Sequence, residues 1–333
     1  MMRAVEITAI GGPEKLAVCS RPVPRPGPDE ILVRVAAAGV NRADVMQREG
    51  RYPMPEGTPE DIPGLEASGT IVAIGDGVTR WTVGDEVCAL LLGEGYAEYV
   101  AVPAVQCLTM PQGVALEEAA SLPEAFCTVW TNLIDRCHLK PHETLLVQGG
   151  TSGIGSAAIQ LAAAMGVTVI ATAGSDSKCE ACLSFGASRA INYKVEDFVA
   201  RVKEFSGGRG IDVILDIVGG AYFDRHIEVL AREGRIVMIA LLSGPRAEAN
   251  FGQLQLKHGT ITGSTLRSRT VAQKAEICRA LEQNVWPLLA SSKIRPTVFA
   301  RFPLEQAAEA HRLLESSEHI GKIILTMGGN ARQ

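Results

Sequence analysis

Residues 144–158, TLLVQGGTSGIGSAA, pass from an apolar, β-branched run through glycines into an alanine-rich stretch, and Gly153, Gly155 and Ala158 fit G-x-G-x-x-A. Positions without side chains let the backbone approach a pyrophosphate and let the N–H groups of a helix's first turn face it. The pattern predicts a strand, a tight turn and a helix start that bind a dinucleotide; the plainer alternative is a glycine turn that only ends a strand. In units that prefer NAD, a carboxylate about 20 residues beyond the first glycine bonds the ribose 2′-hydroxyl. Counting from Gly153 reaches Ala173 and Gly174 instead, followed by Ser175, Asp176, Ser177 and Lys178. Small residues leave room, hydroxyls donate and a lysine supplies positive charge, so Gly174, Ser175 and Lys178 are expected to take a 2′-phosphate and the cofactor to be NADPH. Otherwise Lys178 only solvates the first turn of a helix.

Other reactive types are less organised. Eight cysteines are scattered along the chain, and the single C-x-x-C, Cys179 and Cys182, falls in a helical pattern with no second pair nearby. Reduced thiols and a cytoplasmic location are therefore expected, with two ordinary helix residues at the C-x-x-C. Of the six histidines, only His138 and His142 stand four apart, with Pro141 between them, which argues against a catalytic pair.

These residues need a scaffold. The first 120 residues read as short strands punctuated by proline and glycine, at Arg3–Ile7, Glu30–Ala38, Ser68–Ile74, Glu86–Leu91 and Tyr96–Val102, which predicts an antiparallel, barrel-like β domain. From about residue 123, strands at Thr144–Gln148, Thr168–Thr172, Arg189–Asn192, Asp212–Asp216, Arg235–Ala240 and Thr260–Thr262 alternate with helices, which predicts an α/β, doubly wound parallel sheet. After about residue 266, a helix at Ala272–Leu289, a strand at Thr297–Phe302, a helix at Leu304–Glu315 and a strand at Lys322–Thr326 are placed to close the first domain. The expected domains are thus 1–122 with 266–333, and 123–265 as an insertion.

With 47% hydrophobic residues, 34 glycines and a net charge of −5 carried by interspersed acids and bases, the chain shows neither a nucleic-acid footprint nor a membrane-surface patch. The start, MMRAVEITAI, lacks a signal pattern, and the most apolar stretch, Ala157–Thr172, is interrupted by Gln160 and Gly166, so no spanning segment is expected.

The chain resembles the medium-chain dehydrogenase/reductase superfamily, and within it the zinc-independent, zeta-crystallin-like quinone oxidoreductases of the tumour-suppressor-inducible branch. The resemblance rests on AGVNRADVMQREGRY (38–52), PGLEASGTI (63–71), VGDEV (83–87), the glycine turn, TAGSDSK (172–178), INYKVEDF (191–198), LDIVGG (215–220), LRSR (266–269) and HIGKIIL (319–325). It implies a GroES-like catalytic domain beside a Rossmann domain. Where alcohol dehydrogenases of this superfamily hold a catalytic zinc, the matching positions are Asn41, Leu65 and Glu124, with Glu66 and Cys127 nearby, and only Cys88 and Cys107 remain as possible remnants of a structural-zinc lobe. Leucine cannot ligate and asparagine is a poor ligand, so no metal is expected.

Without a Lewis acid, acceptors that already take hydride readily are expected: quinones, or carbonyls conjugated to an alkene. The resemblance implies that Asn41 and Tyr52 line the cleft beside the nicotinamide as hydrogen-bond donors to the developing oxyanion. Asn41 also suits the cap of a following helix, Tyr52 a loop anchor and Glu66 an ion pair. It further implies cofactor contacts from Thr128, Ser152, Gly153, Ile154 and Tyr193, backbone groups of Leu241, Leu242 and Leu266 at the carboxamide, and Lys322 at the phosphates unless it is a solvated strand end. Val218 and Gly219 follow a strand where the carboxyl edge of such a sheet meets its ligand.

The leading expectation is an NADPH:quinone oxidoreductase acting on a small molecule. The alternatives are an enoyl or 2-alkenal reductase, for which a tyrosine acid would be indispensable, and an NADPH-binding protein with little turnover. A homodimer is expected, with Thr260–Thr262 as an exposed edge able to continue the sheet into a partner.

Overall fold

The computed structural model describes residues 1–52 and 61–328. The chain forms two compact units, Met1–Ala125 with Arg267–Gln333, and Phe126–Leu266. The fold is α/β, with a parallel Rossmann-type sheet in one unit and a mostly antiparallel sheet in the other.

The Phe126–Leu266 unit carries six parallel strands in the order Arg189–Asn192, Thr168–Ala173, Thr144–Val147, Ile211–Asp216, Leu230–Met238 and Thr260–Gly263. The strand that enters the glycine turn lies in the middle, so the order reverses between Thr144–Val147 and Ile211–Asp216. Ligands of doubly wound sheets bind at such a reversal, outside the carboxyl ends of the strands. Strand residues such as Leu146, Ile170, Ile214 and Ile236 and helix residues such as Phe198, Val202 and Ile227 form one buried cluster under this sheet. Because both faces are covered, the strands read as continuous apolar runs rather than alternating ones. Thr260–Gly263 is an edge strand of partly exposed residues.

In the other unit the Glu30–Val40 strand is the organiser. One part of it, Glu30–Arg34, pairs with Tyr99–Pro103; its far end, Ala37–Val40, pairs with Lys322–Thr326; and Ile31–Ala38 pairs with Glu66–Ile74. Two register irregularities, between Leu32 and Val33 and between Val35 and Ala37, bend it enough to serve three neighbours. Glu86–Leu90 and Cys107–Thr109 extend the sheet beyond Glu66–Ile74.

The structure differs from the sequence expectation in several places. Leu16–Arg21 is a strand that pairs with Met2–Ile7 in a separate two-stranded sheet, and Cys107–Thr109 is a further strand. Val298–Pro303 pairs parallel, not antiparallel, with Lys322–Thr326, because the Ala307–Ser316 helix crosses over between them. The long helix expected at Ala272–Leu289 is two helices, Val271–Asn284 and Trp286–Ala290, with Pro287 in the first turn of the second. No helix among the described residues is long and apolar enough to cross a membrane.

Candidate active site

In the parallel unit the site is made mainly of backbone. After Thr144–Val147 the chain turns through Gly149, at φ +68°, and enters the Gly153–Ala164 helix, whose N-cap Ser152 accepts the Gly155 N–H at 2.9 Å. A Cβ at Gly155 would stand 2.3 Å from the Gly149 carbonyl oxygen, so only glycine lets the helix start this close to the turn. A buried relay sets the turn from below. Thr172 receives the Gly149 N–H (3.2 Å) and donates to Gln148 Oε1 (2.6 Å), and the Gln148 amide donates to His226 Nε2 (3.0 Å). That bond leaves the ring proton on Nδ1, which faces Asp216 at 3.5 Å.

Asp216, wholly buried at the end of its strand, accepts from Val218 N (2.7 Å) and Gly219 N (3.1 Å), and Gly219 takes φ +80°. Ser243 N donates to Val218 O (2.7 Å) and Leu242 N to Ile217 O (3.2 Å), which ties the exposed Leu241–Leu242 segment to Val218–Gly219. A Cβ at Gly174 would meet the Tyr193 hydroxyl at 2.9 Å, and the Ser175 hydroxyl caps the Asp176–Ser184 helix by accepting from Lys178 N at 3.3 Å. The structure therefore brings Ser152–Gly155, Gly174, Ser175, Lys178, Tyr193, Val218, Gly219, Leu241 and Leu242 to the carboxyl ends of the parallel strands. Leu266 is buried, three residues beyond the Thr260–Gly263 strand. Thr128 lies in the Pro123–Val129 helix and accepts from Asn132 Nδ2 (2.8 Å), and Asn132 Oδ1 receives the Ser264 hydroxyl (2.7 Å). Asn132 belongs to a π-helical segment, Trp130–Arg136, a geometry frequent at functional sites that no sequence signal announced.

In the other unit the site is made of side chains. Sheet register pairs Val40 with Ile323 and Ala38 with Ala67, which places Asn41, Glu66 and Lys322 at one end of three adjacent strands. Lys322 Nζ lies 2.6 Å from Glu66 Oε1 and donates to Asn41 Oδ1 (2.5 Å) and Val40 O (3.2 Å). An ammonium only donates, so the Asn41 amide must turn its oxygen to Lys322 and its nitrogen to Glu66 Oε1 (3.0 Å) and Gly39 O (3.3 Å). Glu66 Oε2 accepts from Glu124 N (2.8 Å), and a Cβ at Gly39 would collide with the Glu66 carboxylate at 2.1 Å. Glu66 and Lys322 are both buried. Lys322 is therefore no solvated strand end, and its three N–H directions are taken within this unit. Asn41 is also the N-cap residue of the Arg42–Arg48 helix, where its own N–H goes to Asp44 Oδ2 (2.8 Å).

A second buried chain leads away from Asp44. Arg48 donates to His311 Nδ1 (3.1 Å), so His311 Nε2 carries the proton and faces Tyr96 Oη (3.1 Å), and the Tyr96 hydroxyl donates to Asp44 Oδ2 (3.2 Å). Burial raises the Asp44 carboxyl to about 6, while burial and the nearby arginines lower His311 to about 3. Tyr52 is partly buried, and burial, aided by the charge of Glu124, pushes its hydroxyl up to about 12. The Arg267 guanidinium lies 5.1 Å from the Tyr52 ring centroid.

The residues matching a catalytic zinc site do not suit one. Leu65 is an apolar core residue, Asn41 turns its amide oxygen to an ammonium, and burial beside Glu66 raises the Glu124 carboxyl to about 8, so that it holds its proton at neutral pH. Among the described residues no three His, Cys, Asp or Glu side chains are grouped to hold a metal ion. Burial also raises the Cys179 and Cys182 thiols, Cys182 to about 12, which leaves the C-x-x-C poorly nucleophilic. Asp44, Tyr96, His311, Asp216 and Arg267 escaped sequence reasoning; only Asp44 had a signal, standing three residues after an N-cap type.

Two family descriptions match the chain: the alcohol dehydrogenase GroES-like domain over residues 27–112 and zinc-binding dehydrogenase over residues 153–282. Among curated relatives, the synaptic vesicle membrane protein VAT-1 homolog of Rattus norvegicus is 31% identical, over 98% of this chain and 84% of its own length. A quinone oxidoreductase of Homo sapiens is 29% identical over 98% of both. Among solved structures, quinone oxidoreductase of Escherichia coli complexed with NADPH is 31% identical with TM-score 0.87, over 97% of this chain and 99% of that one. An NAD-dependent alcohol dehydrogenase is 34% identical with TM-score 0.87, over 98% and 100%. CurK enoyl reductase is 26% identical with TM-score 0.87, over 98% and 99%. With both domains matched and full-length relatives above 30% identity, the chain belongs to the medium-chain dehydrogenase/reductase superfamily and is an oxidoreductase of that family.

Proposed function

We propose that this protein reduces quinones with NADPH by direct hydride transfer and without a metal. The observation that carries the proposal is the closed Asn41–Glu66–Lys322 group. Its Asn41 stands at a position where a relative would hold an electrophilic zinc, its Glu66 adjoins another at Leu65, and its charges are already matched to one another. An ordinary ketone would lack activation there, whereas a quinone accepts hydride without it. The similarity to NADPH-complexed quinone oxidoreductases supports both cofactor and acceptor.

NADPH supplies the hydride when bound. In this reading Gly153 and Ile154 present N–H groups to its pyrophosphate while Ser152 and Gly155 close the turn against it, Gly174, Ser175, Lys178 and Tyr193 take its 2′-phosphate and adenosine, and Thr128, Val218, Gly219, Leu241, Leu242 and Leu266 hold its nicotinamide half. Tyr52 donates to the acceptor oxygen, and Asn41 adds the amide proton that now makes its weaker bond to Gly39 O. Lys322 serves as counter-ion to Glu66 rather than as a phosphate ligand. We further propose a cytoplasmic homodimer that continues the sheet through Thr260–Gly263. A second reading, an enoyl or 2-alkenal reductase, draws support from the likeness to CurK enoyl reductase and from Tyr52 as a proton donor.

Anaerobic NADPH oxidation against ortho- and para-quinones, 2-alkenals and enoyl thioesters, with zinc measured on the same sample, separates these readings. Quinone turnover at well under one zinc per chain is expected. Faster turnover of the alkenes would favour the second reading, binding without turnover would leave a cofactor-binding protein, and one zinc per chain would overturn the metal-free claim.

A further inference from the structure

Arg267, the arginine of the LRSR string that follows Leu266, is 4% exposed. Its Nε donates to Leu92 O (2.8 Å) and its Nη2 to Gln47 Oε1 (2.8 Å), while Nη1 is buried with no hydrogen-bond partner among the described residues. Both acceptors are neutral, and among the described residues Arg267 makes no ion pair. Burying an unmatched charge is costly, and the cost is offset when an anion forms beside it. The group beside it is Tyr52, with the guanidinium carbon 5.1 Å from the ring centroid. Two other ionisable groups act on this pair, Asp44 and Glu124. Asp44 is already held by the Asn41 and Gly64 N–H groups and the Tyr96 hydroxyl, and Glu124 keeps its proton at neutral pH. Neither forms an ion pair with Arg267 among the described residues, although the Asp44 charge acts on it at longer range.

We propose that Arg267 is a positioning residue that acts through Tyr52, holding the negative charge left on the tyrosine oxygen once its proton has been given to the acceptor. The inference rests on the reading of Tyr52 as proton donor. As hydride is added, the acceptor is reduced, the cofactor is oxidised, and an electron pair moves onto the acceptor oxygen. The Tyr52 O–H bond then breaks as the acceptor O–H bond forms, and the tyrosinate beside Arg267 regains a proton from water.

The test is the acidity of residue 52, read in the full-length protein by 19F NMR with 3,5-difluorotyrosine placed there. Arg267→Met is expected to raise its titration midpoint by about one pH unit, a tenfold loss of acidity, and Arg267→Lys by less than half of that. Circular dichroism and NADPH titration check folding first, and Arg267→Gln replaces the Met variant if that chain does not fold. An unmoved midpoint overturns the proposal. In turnover, Arg267→Met is expected to cost about tenfold in kcat beside Tyr52 but less than about twofold in a Tyr52→Phe background; equal losses in both also overturn it. A midpoint that moves in a protein that reduces no quinone refutes the functional reading and leaves the charge relation intact.

Discussion

The candidate residues of the two units are built into the fold by opposite means. In the Phe126–Leu266 unit the groups are set by glycine geometry, helix caps and backbone hydrogen bonds, and the buried Asp216 holds a turn. In the other unit the groups are side chains from positions 41, 66 and 322, and the backbone's part is to bring three strand ends together. A backbone site recognises an anion of fixed shape and tolerates change in most side chains around it; a charge-matched side-chain site fails when one partner is removed.

That contrast can be broken most severely at Glu66. Glu66→Ala strands the Lys322 ammonium in a buried position and is expected to cost about 3–5 kcal/mol of stability. The double change Glu66→Leu with Lys322→Met removes both charges and should recover most of the loss, as read by urea denaturation. A double variant no more stable than Glu66→Ala would mean that the ion pair is not what the single change destroys.

His311 gives a smaller effect with a defined sign. Its folded-state pKa near 3 lies below the ordinary value of 6.5, so as pH falls through that window the unfolded chain takes up a proton that the folded chain refuses. Stability from His311 is therefore lost on acidification, by about 1.4 kcal/mol per pH unit at full slope. Asp44 works the other way: raised from 3.8 to about 6, it favours the folded state as pH drops between those values. Glu124, raised from 4.5 to about 8, adds to Asp44, so the unmutated protein should gain stability as pH falls from about 6 to 4.5, and His311→Gln should gain more, by about 1.4 kcal/mol per pH unit. Parallel pH profiles for the two proteins would contradict the buried neutral imidazole.

Legibility in the sequence follows the same division. The nucleotide unit was readable because its signals are local: a G-x-G-x-x-A spacing, an absent carboxylate after Ala173 and a serine cap lie within one strand-turn-helix run. The register that joins Asn41, Glu66 and Lys322 depends on a strand pairing across 282 residues, and no local pattern encodes it. Resemblance flagged all three residues, yet the ammonium's partners were visible only in the structure. The Leu16–Arg21 strand escaped because its proline- and glycine-bounded residues alternate weakly, and Arg267 because an arginine in a polar string reads as solvated. The split near Trp286 was the reverse case, a local proline signal that helical periodicity on both sides outweighed.

In the backbone-built half, single side chains should matter less. Lys178→Ala is expected to weaken NADPH about tenfold, roughly 1.4 kcal/mol, while leaving NADH unchanged. The two dissociation constants, read by fluorescence titration, should differ at least about tenfold in the unmutated protein. Equal constants there would remove the 2′-phosphate assignment.

The central claim, that Tyr52 assists reduction of a quinone bound with NADPH, is tested most directly by single-turnover anaerobic oxidation of bound NADPH by a para-quinone in Tyr52→Phe. Loss of one hydrogen-bond donor should slow the step about tenfold to a hundredfold, about 1–3 kcal/mol, with the NADPH dissociation constant within about twofold of the unmutated value. A Tyr52→Phe protein that reduces the quinone at the unmutated rate would contradict the account.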